Sequence, residues 1–149
     1  MAGTRAVAPT STGISTTTAQ KTILQIAAPT NIALFATKMH VSFDGTIANA
    51  AKVLVEIVRS ATGGTGTPLT STDAPRKVNA SDAETLQFTA KENFTVEPTG
   101  GVVIARRWVH PQADFSFNLP VKVKAAETLG IRAFCTTAVN CQASIECEE

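Results

Sequence analysis

Tyrosine is absent from the chain, tryptophan occurs once, histidine twice and cysteine three times in 149 residues. An odd number of cysteines does not make a disulfide framework. Cys135, Cys141 and Cys147 fall in or near strand-like segments and read as small core residues in a reducing compartment. Their spacing lacks the close ligand pairs of a zinc site, and the oxygen-rich loop of a calcium site is missing. No metal or other cofactor is expected. Charged residues make up 17% of the chain, below the roughly 25% of typical globular domains. That scarcity fits a surface partly covered by partners. The formal net charge is +1, and lysines and arginines are scattered among acids, so no footprint for nucleic acid is present. No apolar run approaches the roughly 18 residues of a membrane span. The opening MAGTRAVAPTSTG has no apolar stretch of secretory-signal type. The expectation is a protein that stays in the compartment where it is made.

Chemistry is equally sparse. A nucleophilic triad needs Ser, Cys or Thr beside a histidine oriented by a carboxylate. His110 has Asp114 nearby in sequence, but no G-x-S-x-G motif surrounds any serine. His40 falls on the polar side of its segment and reads as exposed. Gly63-Gly64-Thr65-Gly66 superficially resembles a phosphate-cradling loop but lacks the Lys-Ser/Thr that follows in such motifs, so it reads as a loop tip. Nothing fixes Glu84, Glu92 and Glu97 as a carboxylate pair for glycoside hydrolysis. An enzyme is not expected.

What the chain does have is period-2 alternation. Lys21–Ala28 reads as a strand, and in residues 32–44 Phe35, Met39, Val41 and Phe43 share one face. Lys52–Arg59 puts Val53, Val55 and Ile57 on one side and Lys52, Leu54, Glu56 and Val58 on the other, the pattern of an interior strand. Residues 60–75 read as a long polar loop. A strand is expected near 84–90, with a possible capping box at Ser81 and Glu84. Val102–Val109 and Phe115–Leu119 alternate again, and the segments 129–135 and 139–147, joined at Thr136-Thr137, are expected to pair as a hairpin. The sum is an all-β fold: one antiparallel, jelly-roll-like sandwich of about eight strands. Residues 1–18, rich in Thr, Ser, Ala, Gly and Pro, cannot bury enough surface to fold on themselves. They read as an extended N-terminal arm, held by another subunit through Val7 and Ile14, ahead of a sandwich domain at 19–149. Removing such an arm would leave a folded domain with weakened incorporation into an assembly.

The densest local feature is Arg106-Arg107-Trp108-Val109-His110. Arg and Trp are enriched among interface hot spots, so Arg106, Arg107 and Trp108 are candidate interface residues; the alternative places Trp108 in the core with Arg107 facing water.

Four segments carry a family resemblance: TRAVAPTSTGISTTTAQKTILQIAAPTN at 4–31, SFDGT at 42–46, WVHPQ at 108–112 and LGIRAFCTTAVNCQASIECEE at 129–149. They resemble small structural proteins encoded beside capsid genes in tailed bacteriophages. The resemblance implies a capsid decoration, or cement, protein made in the host cytoplasm and carried on the virion surface. It also implies a homotrimer that clamps neighbouring major capsid protein subunits, with no catalytic motif to carry over. The other reading is a carbohydrate- or receptor-binding jelly roll on a tail or fibre, with Phe94 and Trp108 as its aromatic platforms.

Overall fold

The computed structural model describes residues 3–45 and 51–149. Met1 and Ala2 of the N-terminal segment, and Thr46 at the end of SFDGT, lie outside the described residues. The chain forms a β-sandwich of two antiparallel sheets. In chain order the strands are β1 (Arg5–Pro9), β2 (Ile14–Ser15), β3 (Lys21–Ala27), β4 (Leu34–Phe43), β5 (Val53–Arg59), β6 (Thr65–Pro68) and β7 (Arg76–Lys77). They continue with β8 (Thr89–Val96), β9 (Val102–Val109), β10 (Asp114–Phe117), β11 (Val121–Val123), β12 (Thr128–Phe134) and β13 (Asn140–Glu148). One sheet runs β10-β4-β13-β1-β7, with β11 added beside β4 and β2 beside β13; the other runs β6-β8-β3-β12-β5-β9.

The core lies between the sheets. Leu24, Ile26, Val53, Val55, Ile57, Leu129 and Ile131 of one sheet meet Leu34, Met39, Val41 and Ile145 of the other, all fully buried. Burying each such side chain contributes about 1.5–3 kcal/mol relative to exposure, which is why alternation dictates the layers. Among the described residues, every buried side-chain nitrogen or oxygen has a hydrogen-bond partner. Cys135, Cys141 and Cys147 are buried free thiols, in the role expected of them.

The N-terminal segment departs from expectation. It is not an arm projecting from the domain: β1 lies inside the seven-stranded sheet, paired with β13 from Arg5↔Glu148 to Pro9↔Ser144 and with β7 on its other side. Ala6 and Ala8 sit in the core, and Thr4 exchanges backbone hydrogen bonds with Glu149 at 3.1 and 3.0 Å. The segment is too polar to fold alone, but small alanines suit a strand wedged between neighbours, so its partner is the chain's own C-terminal strand. Ile14 is buried in the same core, and Val7 faces outward, half-buried. Ile14 thus anchors the segment to the chain's own core.

The last two long strands do not form a hairpin. β12 pairs with β3 and β5, whereas β13 pairs with β1, β2 and β4 in the opposite sheet. The link at 135–139 turns a corner between sheets, tied by Thr16 N–H to Val139 O at 2.8 Å and Val139 N–H to Thr16 Oγ1 at 3.1 Å. Alternation identifies a strand's buried face but not its partner.

A bulge explains a further difference. Opposite β13 the register passes from Lys38↔Glu146 to Ala36↔Cys147, leaving Thr37 as an extra residue in β4. One inserted residue flips every side chain beyond it. Leu34 and Ala36 therefore point inward, while Phe35 is 48% exposed and lies under the Lys122 ammonium. The polar stretch 60–75 contains the short edge strand β6 and a 3₁₀ turn at Ser71–Asp73, and the strand expected near 84–90 begins five residues later as β8. Glu84 makes no capping box; it accepts a hydrogen bond from Thr4 Oγ1 at 2.9 Å.

Two predictions follow from this packing. Deleting residues 1–18 removes an interior strand and its buried alanines, so the truncated chain should lose its cooperative unfolding transition by circular dichroism rather than remain a folded domain. Burial pushes the Cys141 and Cys147 thiols up to about 12, helped at Cys147 by the negative charges of Glu149 and Glu148. The folded state thus holds these protons more tightly than the unfolded state, whose thiols titrate near the ordinary 9.0. Stability should be intact below pH 9 and fall as pH rises from there toward 12. Urea unfolding across that range should show the decline, and Cys141→Ala with Cys147→Ala should flatten its slope.

Candidate interaction surface

The outer face of the six-stranded sheet carries two of the residues that the sequence singled out, Arg106 and Trp108. On β5, Val53, Val55 and Ile57 turn to the core, so Leu54, Glu56 and Val58 turn outward. Cross-strand pairing then sets two rows. Leu54 stands between Trp108 of β9 and Phe134 of β12; Glu56 stands between Arg106 of β9 and Arg132 of β12.

The second row is an ion triad. Arg106 grips Glu56 Oε1 with Nε at 2.7 Å and a terminal nitrogen at 2.6 Å. Arg132 grips Oε2 with Nε at 2.8 Å and a terminal nitrogen at 2.6 Å. Gln20 adds Nε2 to Oε2 at 3.2 Å. The Glu56 carboxylate side chain is only 2% exposed although it stands on an outer face, because the two guanidinium groups roof it over. Charge-assisted hydrogen bonds to planar forks are strong and geometrically demanding. Arg132, 21% exposed, is the drier partner; Arg106, 58% exposed, keeps contact with water, so its share is more screened.

Trp108 is 58% exposed, which places it on the surface rather than in the core. Leu54 and Phe134 beside it are half-buried, so the row forms a partly covered apolar stripe next to the triad. Arg107 points the opposite way. Its guanidinium lies 5.9 Å from the Phe115 ring centroid on β10 of the other sheet, a cation–π contact that closes the lateral edge of the sandwich. Phe115 in turn meets Phe117 edge-on at 4.9 Å. The structure thus separates the two neighbouring arginines: Arg106 belongs to the outer face with Trp108, and Arg107 to the edge.

The carboxylates that the sequence left open are engaged singly. Glu92, though buried, accepts hydrogen bonds from Ser11 N–H at 2.8 Å and from the Ser11 hydroxyl, tying the sheets together. Glu97 accepts from Thr22 N–H at 2.6 Å and Thr22 Oγ1 at 2.7 Å. Phe94 is buried and offers no platform. His40 Nδ1 shares a hydrogen bond with Ser116 Oγ at 2.8 Å, and its Nε2 lies 3.7 Å from Asp114 Oδ2. Strand pairing of β4 with β10 places these three residues together on the outer face of the other sheet. The Asp114 side chain is 72% exposed, so its contact with the imidazole is solvated and weak.

Sequence reasoning found Arg106 and Trp108 but missed Glu56, Arg132, Leu54 and Phe134. The available signal was a glutamate inside the apolar run VLVEIVR, whose buried charge demands cationic neighbours.

Replacing Glu56 by alanine leaves two arginines facing one another without their anion. Breaking a buried pair from one side costs about 3–5 kcal/mol. Urea denaturation should show the largest loss, approaching that size, for Arg132→Ala, which strips the buried carboxylate of its drier partner, and smaller losses for Arg106→Ala and Glu56→Ala, whose remaining guanidinium groups reach water. Compared with models of known protein families, with curated proteins and with solved structures, the chain matches none.

Proposed function

We propose that this chain is a structural virion protein that binds the outside of a tailed-phage capsid and stabilises contacts between major capsid protein subunits. The four resembling segments suggest the class, and the observation that carries the reading in the structure is the outer face of the six-stranded sheet. There an exposed tryptophan stands beside a pre-ordered arginine–carboxylate triad on a rigid sandwich. Exposed Trp and Arg on a fixed scaffold are the ingredients of an interface hot spot, and rigidity lowers the ordering cost of docking. The grip therefore shifts from the N-terminal segment, which the fold consumes as a strand, to this face. Symmetric copies, trimers in the proposed arrangement, would make modest single contacts collectively strong.

A second reading, a carbohydrate- or receptor-binding module, draws on the same exposed Trp108, since an exposed aromatic ring also suits a sugar face.

The two readings part in one experiment. Purified heads lacking the protein are incubated with wild-type chain and with Trp108→Ala, and bound protein is measured after sedimentation. Truncating a central hot-spot tryptophan should weaken binding by at least about 2 kcal/mol, roughly thirtyfold, without unfolding the domain. Undiminished binding of the variant, or absence of binding by the wild type together with glycan-array signal that needs Trp108, would overturn the proposal.

A further inference from the structure

Among the described residues, the sandwich leaves one long sheet edge open. Among the described residues, the edge strands β6 and β10 span four residues each and β7 spans two, and β6 ends in a proline. β9 spans eight, Val102–Val109, and among the described residues pairs with β5 alone. Its outward row of backbone N–H and C=O groups is a ready template for another strand. The register shift between Ile57 and Val58 of β5 leaves Ile104 as an extra residue, which breaks the strand locally. Beyond it, Ala105–Val109 is regular and as long as a typical short strand.

Charge decides what can pair there. Arg106 and Arg107 both lie within Ala105–Val109, so a second copy adding antiparallel along the whole of that stretch sets Arg107 against Arg107. Like charges directly opposite are destabilising. The triad holds two arginines to one glutamate, and that glutamate is buried with both oxygens committed. With Arg107 added, the edge carries two uncompensated positive charges.

We propose that the Ala105–Val109 edge of β9 is a docking site for an acidic extended segment of a partner protein, added as a further antiparallel strand. Backbone hydrogen bonds would supply the adhesion, carboxylates at alternate positions would meet Arg106 or Arg107, and an apolar neighbour would cover Trp108. The arginines thereby do two things: they repel a second copy and attract an acidic strand. This deepens the reading of a capsid-docking protein, on which it rests for the identity of the partner, by stating the chemistry of the partner's segment.

The test uses the intact chain and needs no capsid. Trp108 is the single tryptophan, so its fluorescence reports on this edge alone. The probes are two peptides as long as β9, one alternating glutamate with valine and one alternating lysine with valine. The glutamate peptide should shift Trp108 emission, protect amides of residues 105–109 from hydrogen exchange and bind at least about tenfold tighter than the lysine peptide, with affinity falling as salt rises. Arg107→Glu, which leaves the triad intact and brings the net charge of the edge to zero, should abolish that preference; its unfolding midpoint shows whether the variant is folded. Equal binding of both peptides, binding of neither, protection at another edge, or a concentration-dependent emission shift without peptide, signalling self-pairing, would each overturn the inference. Because no particle is present, failure here leaves the capsid reading standing, and loss of particle binding with peptide binding retained sinks that reading alone.

Discussion

Taking a carboxylate out of water demands compensation, and Glu56 is where this fold meets that demand most expensively. The side chain stands on the outer face of a sheet, where water would ordinarily reach it, yet it is only 2% exposed. Two arginines from the flanking strands cover it and occupy both oxygens. That arrangement pins β9, β5 and β12 in register, because a slip of one residue would carry either arginine to the opposite face. It also orients Arg106, and by alternation it places Trp108 outward and Arg107 over Phe115. The surface that the chain presents is thus a consequence of how one buried charge is satisfied.

The opposite sheet solves a different problem. Its central strand β13 turns the small residues Cys141, Ala143 and Cys147 inward around one larger side chain, Ile145, and it accepts β4 on one side and β1 with β2 on the other. Ala6 and Ala8 of β1 continue the same small-residue packing. Both ends of the described chain lie side by side in this sheet, Thr4 against Glu149. Glu92 and Ser11 then stitch the two sheets across one end. The residues of β1 and β2 are structural material of this sheet.

The all-β class and most long strands were legible in the sequence, since alternation of buried and exposed side chains is a local property. Lys21–Ala27, Leu34–Phe43, Val53–Arg59 and Val102–Val109 follow from it directly. What was not legible depends on partners. The polarity of residues 1–18 fits an arm as well as a strand until β13 is seen beside them. The alternation of β12 and β13 fits a hairpin as well as a crossing between sheets. Thr37 as a bulge is invisible without its opposite strand, so Phe35 is misassigned to the core face. Arg106 and Trp108 stood out as residue types, but the role of Arg106 needed Glu56 and Arg132, whose convergence is set by pairing of strands distant in sequence. Short strands such as β2, β6, β7 and β11 exist because neighbours accept them, and their own residues carry little periodic signal.

On the proposed reading, the sandwich is a rigid body that meets a larger assembly through the β5–β9–β12 face and the β9 edge. A reconstruction of phage heads decorated with this chain tests that orientation directly. The account predicts Trp108 and Arg106 against a capsid subunit, with His40 and Ser144 on the opposite sheet facing solvent. Density that places the His40 face on the capsid and leaves Trp108 in solvent would contradict it.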